Sequence, residues 1–264
     1  MESIPKDSIL EFNPDTLQFL RQQYNLDKPG RIQEAIDLLE EWIEKQPHFL
    51  KKDFSRDYLE RTIIISKGSV ERAKMKLDRI CTFRTVYPSF FGVGDMRNCE
   101  SLSNVKGAFL TKLTKEHYRT FMLKTTAKTY PVGLVEIYQY FFRDGYGMRL
   151  KGIHLLSESK AIDAIVALFK QVFSAKLAAR IVVHKTINTF YEYVPKQSLP
   201  REYGGNEKSL IELHDQFQEI LSGKDFAQYL AEMNKATTNE DLRVLTDNNE
   251  ALGVPGTFRA LAVD

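Results

Sequence analysis

Four basic residues near the middle of the chain have the types and spacing of an anion-binding site. Arg149 and Lys151 are two residues apart in a segment that reads as a strand, so both side chains project from the same face. Lys176 and Arg180 are four apart at or beyond the end of a helical segment, so they also share a face. Such a group of cations suits a multivalent anion such as a phosphorylated headgroup. Spacing alone is equally consistent with an ordinary solvated surface that binds no anion.

Residues that could form a catalytic or metal site do not assemble into a recognisable motif. The five histidines include no pair at the spacing of a helical metal site, and they are His48, His117, His154, His184 and His214. Gly92-Val93-Gly94 lacks the lysine and the strand-to-helix context of a phosphate loop. His154 and His184 lie in facing strand segments, where a hydrogen-bonded core pair is favoured over a catalytic pair. We therefore expect no enzyme, no cofactor and no metal.

Composition excludes several classes of protein. A formal net charge of +2 is too small for a nucleic-acid-binding protein, so any charge-based function must come from a local patch. Residues 1–8 lack the basic and apolar regions of a secretory signal, and no apolar run is long enough for a membrane span. Cys81 and Cys99 have no metal or redox spacing. These features predict a soluble intracellular protein whose thiols lie in the core.

The basic residues are positioned by a predicted strand–helix–strand unit. Residues 148–156 and 179–186 read as strands, and the helix between them makes the pair parallel. In the helix, residues 162–173, only Asp163, Lys170 and Gln171 are polar. A helix that is apolar over most of its circumference is either buried on several sides or contacts an apolar partner other than protein.

The region before this unit is predicted to be largely helical. Residues 29–46 carry apolar side chains on one face, and residues 58–65 form a shorter helix. Ser69 is a suitable N-cap for a further helix, which ends before Pro88. From residue 98 to residue 126 the pattern turns towards a strand, which is strongest over 118–123. The sequence thus predicts an α/β fold with a helical N-terminal region.

Further elements complete the predicted order. Residues 131–146 read as a helix, and two amphipathic helices follow Gly205. Gly223 stands between those two helices at the position of a C-cap. The tail from Ala236 has turn residues and no strong periodicity, so we expect it to wrap the surface.

Several segments together resemble a known family, the Sec14-like (CRAL-TRIO) lipid-binding proteins. The segments are RLKGIHLL, LFKQVFSAKLAARI, His184 and LPREYGG, with support from EWIEKQPHF (41–49) and GVPGTFRALAVD (253–264). They are most similar to the branch of alpha-tocopherol transfer protein and cellular retinaldehyde-binding protein, and to its insect-type members.

The resemblance implies an α/β fold in which an N-terminal helical bundle (1–92) precedes a CRAL-TRIO domain (93–235) and a tail (236–264). The domain would hold a hydrophobic molecule in a cavity beneath a mobile gate helix. The resemblance implies that the gate and ligand contacts are Ile162, Ile165, Val166, Leu168, Phe169, Val172 and Phe173.

The resemblance also implies membrane docking. Aligned residue by residue, Arg149, Lys151, Lys176 and Arg180 fall on the family's phosphoinositide-binding positions; we call them the basic cluster. The expected function is binding and transfer of a tocopherol, retinoid or similar lipid by a monomeric cytoplasmic protein that binds phosphoinositide-containing membranes peripherally and no nucleic acid. The alternative is a scaffold module with a collapsed cavity that binds only phosphoinositides or protein.

Two segments depart from the family pattern. A strand of the form GxxxxxDxxG is missing before RLKGIH, which shortens the domain between residues 126 and 146. We expect a partly opened sheet, or a closed-up one with YRTFMLK beside RLKGIHLL, and a reduced cavity in either case. RTIIISKGS (61–69) stands where the family has an Arg-rich helix, so a basic contact is lost unless Lys67 replaces it.

Overall fold

The structure, a computed structural model, describes residues 9–91, 105–125 and 151–244. Several predictions fall outside the described residues. They concern Cys99, the helix 131–146, the shortened region 126–146, Arg149 and the C-terminal segment 253–264.

The N-terminal part of the described chain is helical, as predicted. Its helices are α1 (Thr16–Gln23), α2 (Arg31–Glu44), α3 (Arg56–Ile65), α4 (Val70–Val86) and the short α5 (Pro88–Phe91). Ser69 is confirmed as the N-cap of α4, because its hydroxyl accepts a hydrogen bond from the backbone N–H of Arg72 at 3.3 Å.

Apolar faces of these helices form the first core. Leu39 of α2, Leu59 and Ile63 of α3 and Leu77 of α4 are fully buried. Removing such side chains from water is the main stabilising contribution to a bundle of this kind. Cys81 lies in the same core, where burial raises the pKa of its thiol to about 12, so the thiol is unreactive.

An antiparallel hairpin follows. Strand β1 (Val105–Leu113) pairs with β2 (Arg119–Thr125), with Phe109 opposite Phe121. The predicted strand at 118–123 is therefore confirmed as β2. Strand β1 lies within the 98–126 region but was not predicted as a separate strand, because VKGAFLTKL mixes glycine and lysines into the apolar residues and has no clear alternation.

The predicted parallel unit is present. Strand β3 (Ile153–Leu156) precedes helix α6 (Lys160–Val172), short helix α7 (Ala175–Ala178) and strand β4 (Ile181–His184). The two strands are parallel, with Ile153 opposite Ile181 and Leu156 opposite His184. Among the described strands β2 pairs with β1 and not with β3, so the closed-up pairing of YRTFMLK with RLKGIHLL is absent there.

Helices again dominate the end of the described chain. They are α8 (Ile187–Phe190), α9 (Leu210–Leu221) and α10 (Lys224–Asn234), with 3₁₀ turns at Lys196–Ser198, Arg201–Tyr203 and Glu240–Leu242. The prediction for Gly223 is wrong: Ser222 is the C-cap of α9, and Gly223, with φ −71° and ψ 156°, is the N-cap of α10. Only Ser222 and Gly223 separate the two helices, so the glycine caps the start of α10 rather than the end of α9.

A second core joins the hairpin to α9. Ala108 and Leu110 of β1 are buried together with Leu210 and Leu213 of α9. The segment LPREYGG (199–205) forms a tight turn beside this core. Gly204 has a φ of +76°, and a Cβ on Gly205 would lie 1.9 Å from the carbonyl oxygen of Leu199. Both glycines are therefore required by the backbone.

Residues beyond α10 return to the N-terminal helices. Ala236 is fully buried in the first core. Arg243 donates to both carboxylate oxygens of Asp78 on α4, at 2.8 and 3.0 Å. Asp78 also accepts a hydrogen bond from Nε2 of His48 at 2.9 Å. Residues 236–243 thus belong to the packing of the N-terminal helices, rather than only wrapping the surface.

Candidate functional site

Helix α6 has few buried side chains for its apolar composition. Val166 is 7% exposed, whereas Leu168 is 59% exposed. The other gate residues whose side chains the structure describes are half-buried, and these are Ile162, Ile165, Phe169 and Phe173. Val172 ends the helix. Most of this apolar surface is therefore only partly covered by the described protein.

An ion pair shows which face of the sheet helix α6 covers. The ammonium of Lys185 lies 2.7 Å from each carboxylate oxygen of Asp163 in α6. Side chains alternate along a strand, so Lys185, directly after β4, shares its face with Ile181 and Val183. Helix α6 therefore covers the face that carries Ile181 and Val183.

The opposite face carries the two strand histidines. Nδ1 of His154 and Nε2 of His184 are 2.9 Å apart, and Nδ1 of His184 lies 2.9 Å from the hydroxyl of Thr189. That hydroxyl donates to the carbonyl of Thr186 at 2.9 Å, so its oxygen must accept from His184. Nε2 of His184 then accepts the proton of Nδ1 of His154. The network is complete with both imidazoles neutral.

Burial and packing give this pair a structural role. His184 is 2% exposed, and both rings contact Phe190 and Tyr193. Burial, together with the neighbouring His184, lowers the pKa of His154. Within the described ranges no group of three or more His, Cys, Asp or Glu side chains is placed to hold a metal ion. This geometry matches the hydrogen-bonded core pair that the sequence favoured for His154 and His184, rather than a catalytic pair.

Two members of the basic cluster lie at one end of the parallel pair. The carbonyl of Arg180 accepts a hydrogen bond from the N–H of Ile153 at 2.8 Å, so the backbones near Lys151 and Arg180 are adjacent. Lys176 is exposed on α7, four residues before Arg180. The ammonium of Lys151 lies 4.5 Å from the centre of the Tyr118 ring, a cation–π contact. Arg149 lies outside the described residues.

A break in the helix separates α6 from α7. Phe173 (φ −81°, ψ 155°) and Ser174 (φ −55°, ψ 148°) both have extended backbones. Ser174 then caps α7 by accepting a hydrogen bond from the N–H of Leu177. Two non-helical residues therefore connect α6 to α7, which in turn precedes β4.

Two clefts occur elsewhere among the described residues. One, of about 470 Å³, lies between the N-terminal segment, β1 and α9, and its lining includes Glu11, Glu207 and Lys208. The other, of about 280 Å³, is lined by residues such as Lys112 and Lys115. Neither is lined by α6. Charged side chains contribute to both linings, whereas α6 offers a mostly apolar surface, so we place the candidate site at α6.

Sequence reasoning missed the pairing of Asp163 with Lys185. The two residues are far apart in sequence, and neither belongs to a motif. The available signal was the isolated carboxylate in the first turn of an otherwise apolar helix. A partner for it could be found only once the register of β3 and β4 was known.

Comparisons with protein families give matches in both parts of the chain. A family model described as CRAL/TRIO domain matches residues 117–205. A model described as Pinta-like, UBA domain matches residues 28–101. The first match includes β2, the parallel unit and the LPREYGG turn; the second includes α2 to α5.

Comparisons with individual proteins agree with the first match. The chain is similar to the alpha-tocopherol transfer protein-like protein of Mus musculus, with 26% identity over 139 residues, which are 52% of this chain and 36% of the relative. The proteins of the same name from Pongo abelii and Homo sapiens are each 28% identical over 110 residues, which are 41% of this chain and 28% of the relative. The chain thus matches about a third of the length of these relatives.

Proposed function

Because the chain belongs to the Sec14-like CRAL-TRIO family, we propose that it binds a small hydrophobic molecule, such as a tocopherol or retinoid, and transfers it between membranes. The observation that carries this proposal is the partial exposure of α6, whose side chains are almost all apolar. A carrier needs an apolar element of this kind, which contacts its ligand when closed and the bilayer when open. The proposal gives the chain no catalytic step.

The energetics support such an exchange. Covering apolar surface is worth about 25 cal/mol per Å², whether the covering molecule is a ligand or the acyl region of a bilayer. The open and closed positions of α6 can therefore have similar free energies when a membrane is near. Two states of similar energy allow ligand to be both held and released.

Docking through the basic cluster is the second part of the proposal. We propose that Arg149, Lys151, Lys176 and Arg180 bind phosphoinositide headgroups and bring the protein to cytoplasmic membrane surfaces as a peripheral monomer. In support, Lys176 and Arg180 follow directly after α6, so docking would bring the helix close to the bilayer. None of the described helices is long and apolar enough to cross a membrane.

Native mass spectrometry of the protein purified from its own cells tests the first part. A carrier should retain one hydrophobic molecule per chain, which organic extraction removes and identifies. The extracted protein should take up α-tocopherol or retinal again in a saturable manner. Absence of any retained molecule and of uptake of both probes would contradict the proposal.

A scaffold function is the alternative candidate, and the position of the clefts favours it. Both clefts described above have charged linings and lie away from α6. In a scaffold the sheet has no cavity, and only phosphoinositide or protein binding remains. The same experiment separates the two functions, because a scaffold binds vesicles with phosphatidylinositol bisphosphate but retains no hydrophobic molecule.

A further inference from the structure

Within the described part of the chain, helix α6 is attached to the sheet by few interactions in addition to chain connectivity. Among its described side chains only that of Val166 is buried. The ion pair of Asp163 with Lys185 joins the helix to the chain just beyond β4. At this end the ion pair adds one specific charged contact to the burial of Val166.

The sheet side of this contact is firmly fixed. Lys185 follows His184, which is buried and bonded through both ring nitrogens. The carbonyl of His184 also accepts a hydrogen bond from the N–H of Ser157 at 3.0 Å. Lys185 thus projects from a backbone held from two sides, so the movable partner is Asp163.

The helix side lies at the end opposite the break in the chain. Asp163 is in the first turn of α6, where a carboxylate also interacts favourably with the helix dipole. The two extended residues, Phe173 and Ser174, follow the last turn. Extended residues between rigid elements absorb the backbone rotation of hinge motions.

We propose that the Asp163–Lys185 ion pair is a latch that holds α6 closed, and that the helix opens by swinging about Phe173 and Ser174. This inference rests on the proposed function, for which it supplies the regulation. In this arrangement the end of α6 that carries Asp163 is the end that moves. The hinge lies on the side of Lys176 and Arg180, the residues proposed to dock.

The exposure of the pair makes it a reversible contact. Asp163 and Lys185 are 43% and 48% exposed, so water and salt screen their attraction. Exposed pairs of this kind are worth about 0.2–1 kcal/mol, enough to shift an opening equilibrium by up to about fivefold. The pair can therefore break and re-form as the helix opens and closes.

Hydrogen–deuterium exchange of the ligand-free protein tests the latch. Asp163→Asn and Lys185→Met should each accelerate amide exchange in α6 by up to about fivefold, most strongly near Asp163 and least near Phe173. Exchange in α9 should not change. The charge-swapped variant, Asp163→Lys with Lys185→Asp, should restore much of the protection.

The matched control is Lys170→Gln, which removes a charge from the same helix; Lys170 forms no ion pair among the described residues. Equal acceleration in this control, no acceleration in the single variants, or no recovery in the swapped variant would overturn the latch. None of these results depends on a ligand. They are therefore distinct from failure of the proposed function, which is judged by retained and reloaded hydrophobic molecules.

Discussion

His154 and His184 illustrate how hydrogen-bond partners fix protonation at the scale of single residues. The hydroxyl of Thr189 has one hydrogen, which it donates to Thr186, and this determines the donor in each following bond. An added proton can be taken up only at Nε2 of His154, where a Cβ on Gly152 would lie 2.4 Å away. The site is crowded and partly desolvated, so the folded state disfavours the charged form.

This environment predicts that the protein loses stability in mild acid. The pKa of His154 is lowered from its ordinary value of 6.5 in the folded state, so the unfolded chain binds more protons. The contribution to the free energy of unfolding is therefore complete above pH 6.5 and is lost as the pH falls through the lowered pKa. Urea unfolding between pH 7.5 and 5 measures it.

His154→Gln is the control for this pH dependence. It should flatten the decline between pH 7.5 and 5. The carboxylates with strongly lowered pKa values do not interfere, because Glu212 and Glu232 have pKa values of about 2 and ordinary values of 4.5. An unchanged decline in His154→Gln would show that other groups cause it.

The basic cluster gives a second prediction at this scale. Lys176→Ala with Arg180→Ala should weaken binding to vesicles that contain phosphatidylinositol bisphosphate, because each lost contact costs about 1 kcal/mol, or roughly thirtyfold for both. The salt dependence of vesicle binding should also decrease, and uptake of hydrophobic ligand should remain. Vesicle co-sedimentation measures the change.

Two exposed lysines elsewhere, Lys28 and Lys224, provide the matched control. Replacing both with alanine should leave vesicle binding nearly unchanged. If the two double variants lose affinity equally, the cluster is an ordinary solvated surface.

The sequence predicted the residues of this cluster, but spacing could not show that Lys151 and Arg180 lie on adjacent backbones.

At the scale of elements, the apolar surface of α6 is larger than the part of it that packs against the described residues. Periodicity and composition were enough to predict the helix and the parallel strands on either side, because a strand–helix–strand order permits few arrangements. They could not predict the latch, which depends on the strand register. Nor could they predict β1 as a separate strand, because its apolar residues do not alternate.

The gate function predicts that charges on this surface disrupt two activities at once. Phe169 and Phe173 have stacked rings with centres 5.8 Å apart. Replacing both with aspartate should weaken ligand binding by about tenfold or more and also reduce membrane association, since both use the same apolar surface. Fluorescent-ligand titration and vesicle co-sedimentation measure the two effects.

Lys170→Gln with Gln171→Asp is the control, because it changes the net charge by the same amount at two exposed positions of α6. This variant should retain ligand binding. If the Phe169 and Phe173 variant keeps both activities, α6 is only a packed helix of the core.

At the scale of the whole molecule, the end of the described chain stabilises its beginning. Arg243 has a side chain only 7% exposed and is paired with Asp78 of α4. This contact could not be predicted, because residues 236–244 have no periodicity and the contact joins distant segments. The general α/β architecture was predictable, whereas the place where the chain returns was not.

Loss of this contact should destabilise the protein. Arg243→Ala leaves Asp78 partly buried without its main partner, which should cost about 3 kcal/mol in the free energy of unfolding. Arg56→Ala removes exposed ion pairs with Asp37 and Glu40 and should cost less than about 1 kcal/mol. Thermal and urea unfolding compare the two, and equal losses would contradict a structural role for Arg243.

Photo-crosslinking can show whether a hydrophobic ligand binds against α6. A fatty acid with a photoactivatable diazirine would be bound, irradiated and located by mass spectrometry of peptides. We expect label on residues 160–173 and on the Ile181–Val183 face of the sheet, with competition by excess unlabelled ligand. Label confined to the charged clefts, or label that no ligand displaces, would contradict binding against α6.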